Sequence, residues 1–422
     1  MGPILIFDKS TLESLNPNEA MWLDTFFSSN ITPLFFIETL ADLEKEIKKR
    51  RLPEDVVGSL AYKTPDMSSR PNVHHTTLLA GELSGAGKFK MGDGRPIVSG
   101  GQIKELGGKT GIVFERAPEE EAFQRWQKRE FLDIERLNAK AWRRALSHID
   151  LESNYKFFQR FYPLGKPKTL AKVKDFVDFY IDGPDQERIL SFGLSLLGIP
   201  QHSQIMIIKK WNDSGKPRIQ KFAPYFFHVL SVDLFFYLAI AADLIGRGRP
   251  SHKIDLAYLY YLPFCMVFTS NDKLHSDLVP FFLRDNQTFV PGRELKADLA
   301  LLDKHYDNLS DEIKQQGVIR FASYPPPDDS YLVTRLWDKH MSPTWRKDQG
   351  KDIIPENDQE TRKKIVEQIK QFVENSIPLP NNHLSSDDAD QMVVERKVLG
   401  RKGKWNRFPP EVMKKQQSPD NS

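Results

Sequence analysis

The chain has 422 residues, with 60 Lys plus Arg against 57 Asp plus Glu, 40% apolar residues and a single cysteine. These values exclude collagen-like, disulfide-stapled and wholly disordered proteins and describe a soluble globular chain of one large or two medium domains. A formal charge of +3 gives no whole-surface basic field, so any nucleic-acid site must be local.

Residues Ile4-Leu5-Ile6-Phe7 read as a first strand ending at Asp8. No basic region precedes them, so no signal peptide is expected. Ser10 with Glu13 has the spacing of a capping box and opens a helix through Met21, Trp22 and Phe26. A second apolar run, Ile31 to Ile37, leads into Glu38 and a helix ending in the basic cluster Lys48 to Arg51. Residues 62 to about 118 are rich in Gly, Pro, Ser and Thr, with short β-like runs such as Gly111-Ile112-Val113-Phe114. Helical character returns over 119 to 250, first strongly charged and then amphipathic. The most apolar stretch, Phe226 to Ile245, carries His228, Asp233 and Asp243, which favours a buried core helix and no membrane contact. A helix from about Asp255 then feeds the apolar strand Met266 to Thr269, which Asn271-Asp272 ends. Beyond Leu309 the pattern loosens, then gives a charged helix from Gln359 to Asn375.

This alternation predicts an α/β fold, with helices on both faces of a mostly parallel sheet. The expected organisation is a core in two parts, 1–61 and 151–310, an insertion at 62–150 and a C-terminal extension at 311–422. The lone Cys265 can form no internal disulfide and reads as a buried small hydrophobe, which suits a reducing, cytoplasmic setting.

Four carboxylates stand where strands meet helices: Asp8, Glu38, Asp255 and Asp272. In open parallel sheets the ligand crevice lies at the carboxyl ends of the strands, so these side chains are expected to converge there. Two unit charges about 4 to 5 Å apart repel by roughly 3 to 4 kcal/mol at an effective dielectric of about 20, so such a cluster needs protons or cations. A hard divalent ion bound through oxygen meets that need. Helix capping is the bland account of any one of them.

The segment Ile4 to Ser10, an apolar strand followed by Asp, any residue and Ser, resembles the opening of PIN-domain nucleases. Leu34 to Leu40 is similar to their second strand leading to a Glu. Asp255 to Asp272 is similar to their last active-site block, an Asp-led helix, an apolar strand and a Ser/Thr-x-Asp ending, with Ser270 where Thr is commoner. The three segments together cover 32 residues. Glu38 and Asp255 are over 200 residues apart, so the chain resembles a large PIN-like protein with an insertion, not a minimal toxin.

The resemblance implies a three-layer α/β/α fold and a hydrolase that cuts phosphodiester bonds of RNA or of single-stranded or flapped nucleic acid. It implies Mg²⁺ or Mn²⁺ held by Asp8, Glu38, Asp255 and Asp272, with Ser10 and Ser270 orienting carboxylates or water. Asp42, one helical turn after Glu38, and Asp277, five residues after Asp272, are candidate extra ligands. Two other readings stand beside it: a non-catalytic module that binds nucleic acid or protein, and a metal-dependent phosphohydrolase of small nucleotides. A regulatory protein partner is compatible with all three.

Gly107-Gly108-Lys109-Thr110 lacks the first glycine of a phosphate loop, because Ile occupies position 103. The adjacent His74 and His75 are expected at the surface. Between Arg396 and Lys415 there are eight basic residues against one acid. Arg396, Lys397, Arg401, Lys402, Lys404 and Arg407, with Trp405 among them, provide the mixture of cations and stacking surface that single-stranded nucleic acid uses; a solvated basic tail has the same composition.

Overall fold

Ile4–Phe7 forms β1, and its alternating side chains face two different cores: Leu5 and Phe7 enter one, Ile6 the other. This period of two is what a strand covered on both faces requires. In the computed structural model the described residues are 2–85, 91, 92, 94, 95, 97, 101–114, 118–147, 151–162, 165–246, 252–349, 359–378, 391–393 and 398–410.

After β1 come helices α1 (Lys9–Ser14) and α2 (Pro17–Phe26), strand β2 (Ser28–Ile31), helices α3 (Pro33–Lys48) and α4 (Pro53–Lys63), and strand β3 (Ser69–Pro71). Helix α5 (His75–Ser84) follows, then an antiparallel hairpin of β4 (Gly101–Leu106) and β5 (Lys109–Phe114). Gly107 and Gly108 make its turn with φ of +59° and +78°, the left-handed pair that a two-residue hairpin needs. The glycines that suggested a phosphate loop thus serve a turn.

Helices α6 (Pro118–Gln127), α7 (Asp133–Ser147), α8 (Leu151–Gln159), α9 (Leu170–Ile181), α10 (Gln186–Leu196), α11 (Gln201–Asp213), α12 (Ile219–Phe222), α13 (Pro224–Ala241) and α14 (His252–Ala257) come next. A 3₁₀ segment, Tyr258–Phe264, leads to β6 (Val267–Ser270), α15 (Lys273–Leu278), β7 (Thr288–Pro291) and α16 (Gly292–Asp307).

The central sheet is all parallel, in the order β3-β2-β1-β6-β7. One face packs against α5 and α9 to α13, the other against α1, α2, α4 and α16, which makes the three-layer α/β/α architecture expected from the sequence. Helix α13 is long and apolar enough to cross a membrane, yet 83% of its apolar window is buried inside the protein; it is the core helix expected there. Cys265 is buried as well.

Several boundaries differ from those expected. The first long helix is two: Asp8 caps α1, and the capping box belongs to Asn16 and Glu19 at the start of α2. The second strand ends at Ile31, because Pro33 opens a helix, and proline is at home in the first turn of one. Glu38 therefore sits inside α3, beyond the strand end. The stretch 62–150 is divided between the central layers and a second sheet. It supplies β3 to the central sheet, α6 packs on α4, and α7 packs on α3, while β4 and β5 belong to a separate sheet. Strand β3 escapes sequence reading because Ser69-Arg70-Pro71 is short and has no apolar alternation. Nor are both histidines at the surface: His74 caps α5, and His75 is buried, ringed by Trp142, Tyr260 and Tyr261.

Candidate functional site

From β1 the chain moves outward to β2 and β3, then returns to add β6 and β7 on the other side. The continuations after β1 and β6 consequently part company: α1 joins one core through Leu12, and α15 joins the other through Leu278. In open α/β sheets the place where such continuations diverge, at the carboxyl edge of adjacent strands, is the crevice where ligands bind. Asp8 follows β1 and Asp272 follows β6.

Asp8 is buried and fully engaged. Its Oδ1 accepts from the Thr11 backbone N–H at 2.9 Å, and its Oδ2 lies 2.6 Å from Ser10 Oγ and 2.8 Å from Ser270 Oγ. Ser270 is held in turn by the Asp272 N–H at 2.9 Å and by His275 Nδ1 at 2.7 Å, while His275 Nε2 lies 2.7 Å from the Asp255 carbonyl oxygen. Both serines thus donate to the Asp8 carboxylate. His275 ties β6, α14 and α15 together, a role its position in the sequence did not signal. Asp272 caps α15 by accepting from the Leu274 N–H at 2.6 Å. At Gly292, a Cβ would meet Thr11 Oγ1 at 2.6 Å and the Asn271 side chain at 2.8 Å, so only glycine lets α16 close against this edge.

Glu38 projects from α3, where Tyr258 donates its hydroxyl to Oε2 at 3.0 Å. Burial, opposed by Lys9 and reinforced by the charges of Asp8 and Asp42, raises its pKa to about 7. Asp255 is pushed up further, to about 8, first by burial and then by Asp272, Glu38 and Asp8, with Arg143 opposing. The four acids named from the sequence therefore meet electrostatically across more than 200 residues of chain. They do not form a closed cage: among the described residues no three His, Cys, Asp or Glu side chains are placed to hold a metal ion as they stand. The donor set, all carboxylate oxygen with two members driven toward their protonated forms, suits a hard divalent cation in charge and type.

The two candidate extra ligands are committed elsewhere. Asp42 pairs with Lys9 at 2.9 Å, Lys45 at 2.9 Å and Arg143. Burial raises its pKa, but these cations, Lys9 foremost, hold it well below the usual carboxylate range. Asp277 makes a half-exposed helical pair with Lys273 at 2.7 Å.

The basic tail is also different from expectation. Lys402 and Arg407 are buried against Asp24 and Asp66, with N–O distances of 2.7 to 3.1 Å. Trp405 is buried against Trp22 and donates Nε1–H to Asp303 at 2.6 Å. Lys404 pairs with Asp303 and Asp307, and Arg401, though exposed, donates to the Gly403 carbonyl. Lys402, Trp405 and Arg407 are thus an internal clasp and offer nothing to a nucleic acid. The same composition that would serve an anionic ligand here serves two buried aspartates. Arg396 and Lys397 lie outside the described residues, as do Lys88, Lys90 and Arg116.

A cleft of about 1300 Å³ opens between α8, α9 and α10, lined by Phe157, Phe161, Phe176, Tyr180 and Phe192. None of the four acids lines it. Compared with protein-family models, with characterised proteins and with solved structures, the chain matches none.

Proposed function

We propose that the crevice at the ends of β1 and β6 is the centre of a cytoplasmic, divalent-metal-dependent nuclease of PIN-like type that hydrolyses phosphodiester bonds in RNA or in single-stranded or flapped nucleic acid. The observation that carries this reading is the convergence of Asp8, Glu38, Asp255 and Asp272 at the strand-order switch: burial, with Asp8 and Asp42, pushes Glu38 up to about 7, and burial, with Asp272, Glu38 and Asp8, pushes Asp255 up to about 8. A fold seldom retains such a cluster for stability alone, because uncompensated buried charge opposes folding.

When bound, Mg²⁺ or Mn²⁺ supplies an activated water and stabilises the leaving oxyanion. Asp8, Glu38, Asp255 and Asp272 are the residues that would hold it. Ser10 and Ser270 fix the Asp8 carboxylate, and His275 fixes Ser270, so the first acid is pre-oriented. Tyr258 holds Glu38 toward the crevice. No protein nucleophile is required.

The decisive assay follows a labelled single-stranded RNA with Mn²⁺ added. The reading expects cleavage that EDTA stops and that Asp8→Asn and Asp272→Asn each reduce by 10²-fold or more, about 3 kcal/mol of barrier. Phosphate release from nucleotides with intact RNA would instead assign a small-nucleotide phosphohydrolase. That no three acids among the described residues are placed to hold an ion as they stand favours one rival, a binding module without catalysis. It forecasts no cleavage and a Mn²⁺ affinity that Asp8→Asn leaves unchanged.

A further inference from the structure

Asp42 is surrounded by more positive charge than it can use. Lys9 approaches from α1, Lys45 from its own helix and Arg143 from α7. Glu13, 3.5 Å from Lys9, takes part of that lysine's charge. Lys45 and Arg143 have no carboxylate other than Asp42 in ion-pair contact among the described residues. Three cations face two carboxylates in ion-pair contact, Asp42 and Glu13, which leaves one net positive charge; Glu38 acts on Lys9 and Asp255 on Arg143 from further away.

Its location gives that surplus a meaning. Lys9 follows Asp8 directly, Asp42 lies one turn beyond Glu38, and α7 packs on both α3 and α14, the helices that carry Glu38 and Asp255. Arg143 acts electrostatically on Asp42 and Asp255 alike. The cations therefore border the acid crevice, and their side-chain exposure rises outward from 9% at Lys9 through 23% at Arg143 to 60% at Lys45. Asp42 uses only Nη1 of the Arg143 guanidinium, and a guanidinium has five N–H donors in a planar fork suited to phosphate. A purely structural ion pair does not need a graded row of three.

We infer that Arg143 and Lys45, gathered on Asp42 with the buried Lys9 behind them, form a phosphate-binding rim that holds the backbone of a nucleic-acid strand beside the acid crevice. This rests on the nuclease reading for the class of ligand. Asp42 acts as the organiser: it fixes three mobile cations in one place, and a polyanion that an acid cluster would repel meets an attractive border first. Asp42 contributes position and no metal ligation.

The test is fluorescence anisotropy of a labelled single-stranded RNA in EDTA, where no cleavage occurs, titrated at several KCl concentrations. Lys45→Gln and Arg143→Gln leave Asp42 paired, so both variants are expected to fold, and a thermal melt checks this. Each should weaken binding by about fivefold at moderate salt and lower the slope of log affinity against log salt by about 0.7, the value for one lost contact on a single strand. Lys216→Gln, on a remote exposed pair with Glu187, should change neither. Affinity and slope equal to wild type in both rim variants would overturn the rim, as would failure of the wild-type protein to bind the RNA. The nuclease reading is judged separately by Mn²⁺-dependent cleavage: a cleaving protein with unaffected rim variants sinks only the rim, and a lowered slope without cleavage sinks only the nuclease.

Discussion

Two carboxylate clusters in this protein meet burial in opposite ways. Asp24 and Asp66 receive Lys402 and Arg407, so two acids face two bases and charge is balanced. Burial raises the Asp24 pKa, but the two cations override it and hold the group well below the usual carboxylate range; at Asp66, burial and the Asp24 charge outweigh the same cations and raise the pKa. At the crevice the cations gather on Asp42, and Glu38 and Asp255 are left to gain protons. The first cluster is finished within the chain; the second is completed only by something added, a proton or a cation. That difference separates a structural clasp from a candidate site more clearly than acid count or burial does.

The largest effect that could break this contrast lies in the clasp. Lys402→Ala leaves two buried aspartates with one cation, and breaking a buried pair costs about 3 to 5 kcal/mol, which urea unfolding would register. Ending the chain before Val398 should destabilise at least as much, since Trp405 is lost too. A truncated protein of unchanged stability would show that the clasp holds nothing together.

Next comes the pH response. Glu38 and Asp255 have raised pKa values in the folded state, so their contribution to stability is whole below about pH 4 and is lost as pH rises through about 7 and about 8. Asp24, lowered in the folded state, has the opposite sign: its contribution is present above about pH 4 and is lost on acidification. The melting temperature should accordingly fall between pH 5 and 9. Combining Glu38→Gln with Asp255→Asn should flatten the fall and stabilise the protein at pH 9 by about 2 kcal/mol or more. An unchanged slope would mean that these carboxyls titrate normally.

A similar gain should come from a cation. At a free Mn²⁺ concentration of about 100 times the dissociation constant, stability should rise by about 2.7 kcal/mol, with the larger shift at pH 8 than at pH 5 because protons and metal compete for the same oxygens. Equal shifts at both values would place the ion elsewhere. The smallest effect is expected at the edge of the clasp, where Lys404 is partly exposed. Lys404→Ala should cost no more than about 1 kcal/mol, a loss well below that of Lys402→Ala.

Strands β1 and β6 were legible because Ile4 to Phe7 and Met266 to Thr269 are largely apolar runs followed by an acid, and the core helix because Phe226 to Ile245 is apolar for longer than a surface helix allows. Asp8, Asp255 and Asp272 could be named because they end strands or begin helices. Lys9, Arg143 and His275 could not be assigned partners, since each meets its partner across distant parts of the chain or through a backbone atom. The tail was misread for a related reason: Lys402, Trp405 and Arg407 have the same composition whether they greet a solvent-borne anion or Asp24.

The sequence alone determined the α/β alternation, the predominantly apolar core helix and the acids at strand ends, because local periodicity and turn chemistry act over a few residues. Only the tertiary structure decided which charges neutralise each other. That depends on pairs such as Asp24 with Lys402, or Asp42 with Arg143, which come together through the packing of whole elements, and electrostatic energy depends on distance in space and on burial, not on separation along the chain.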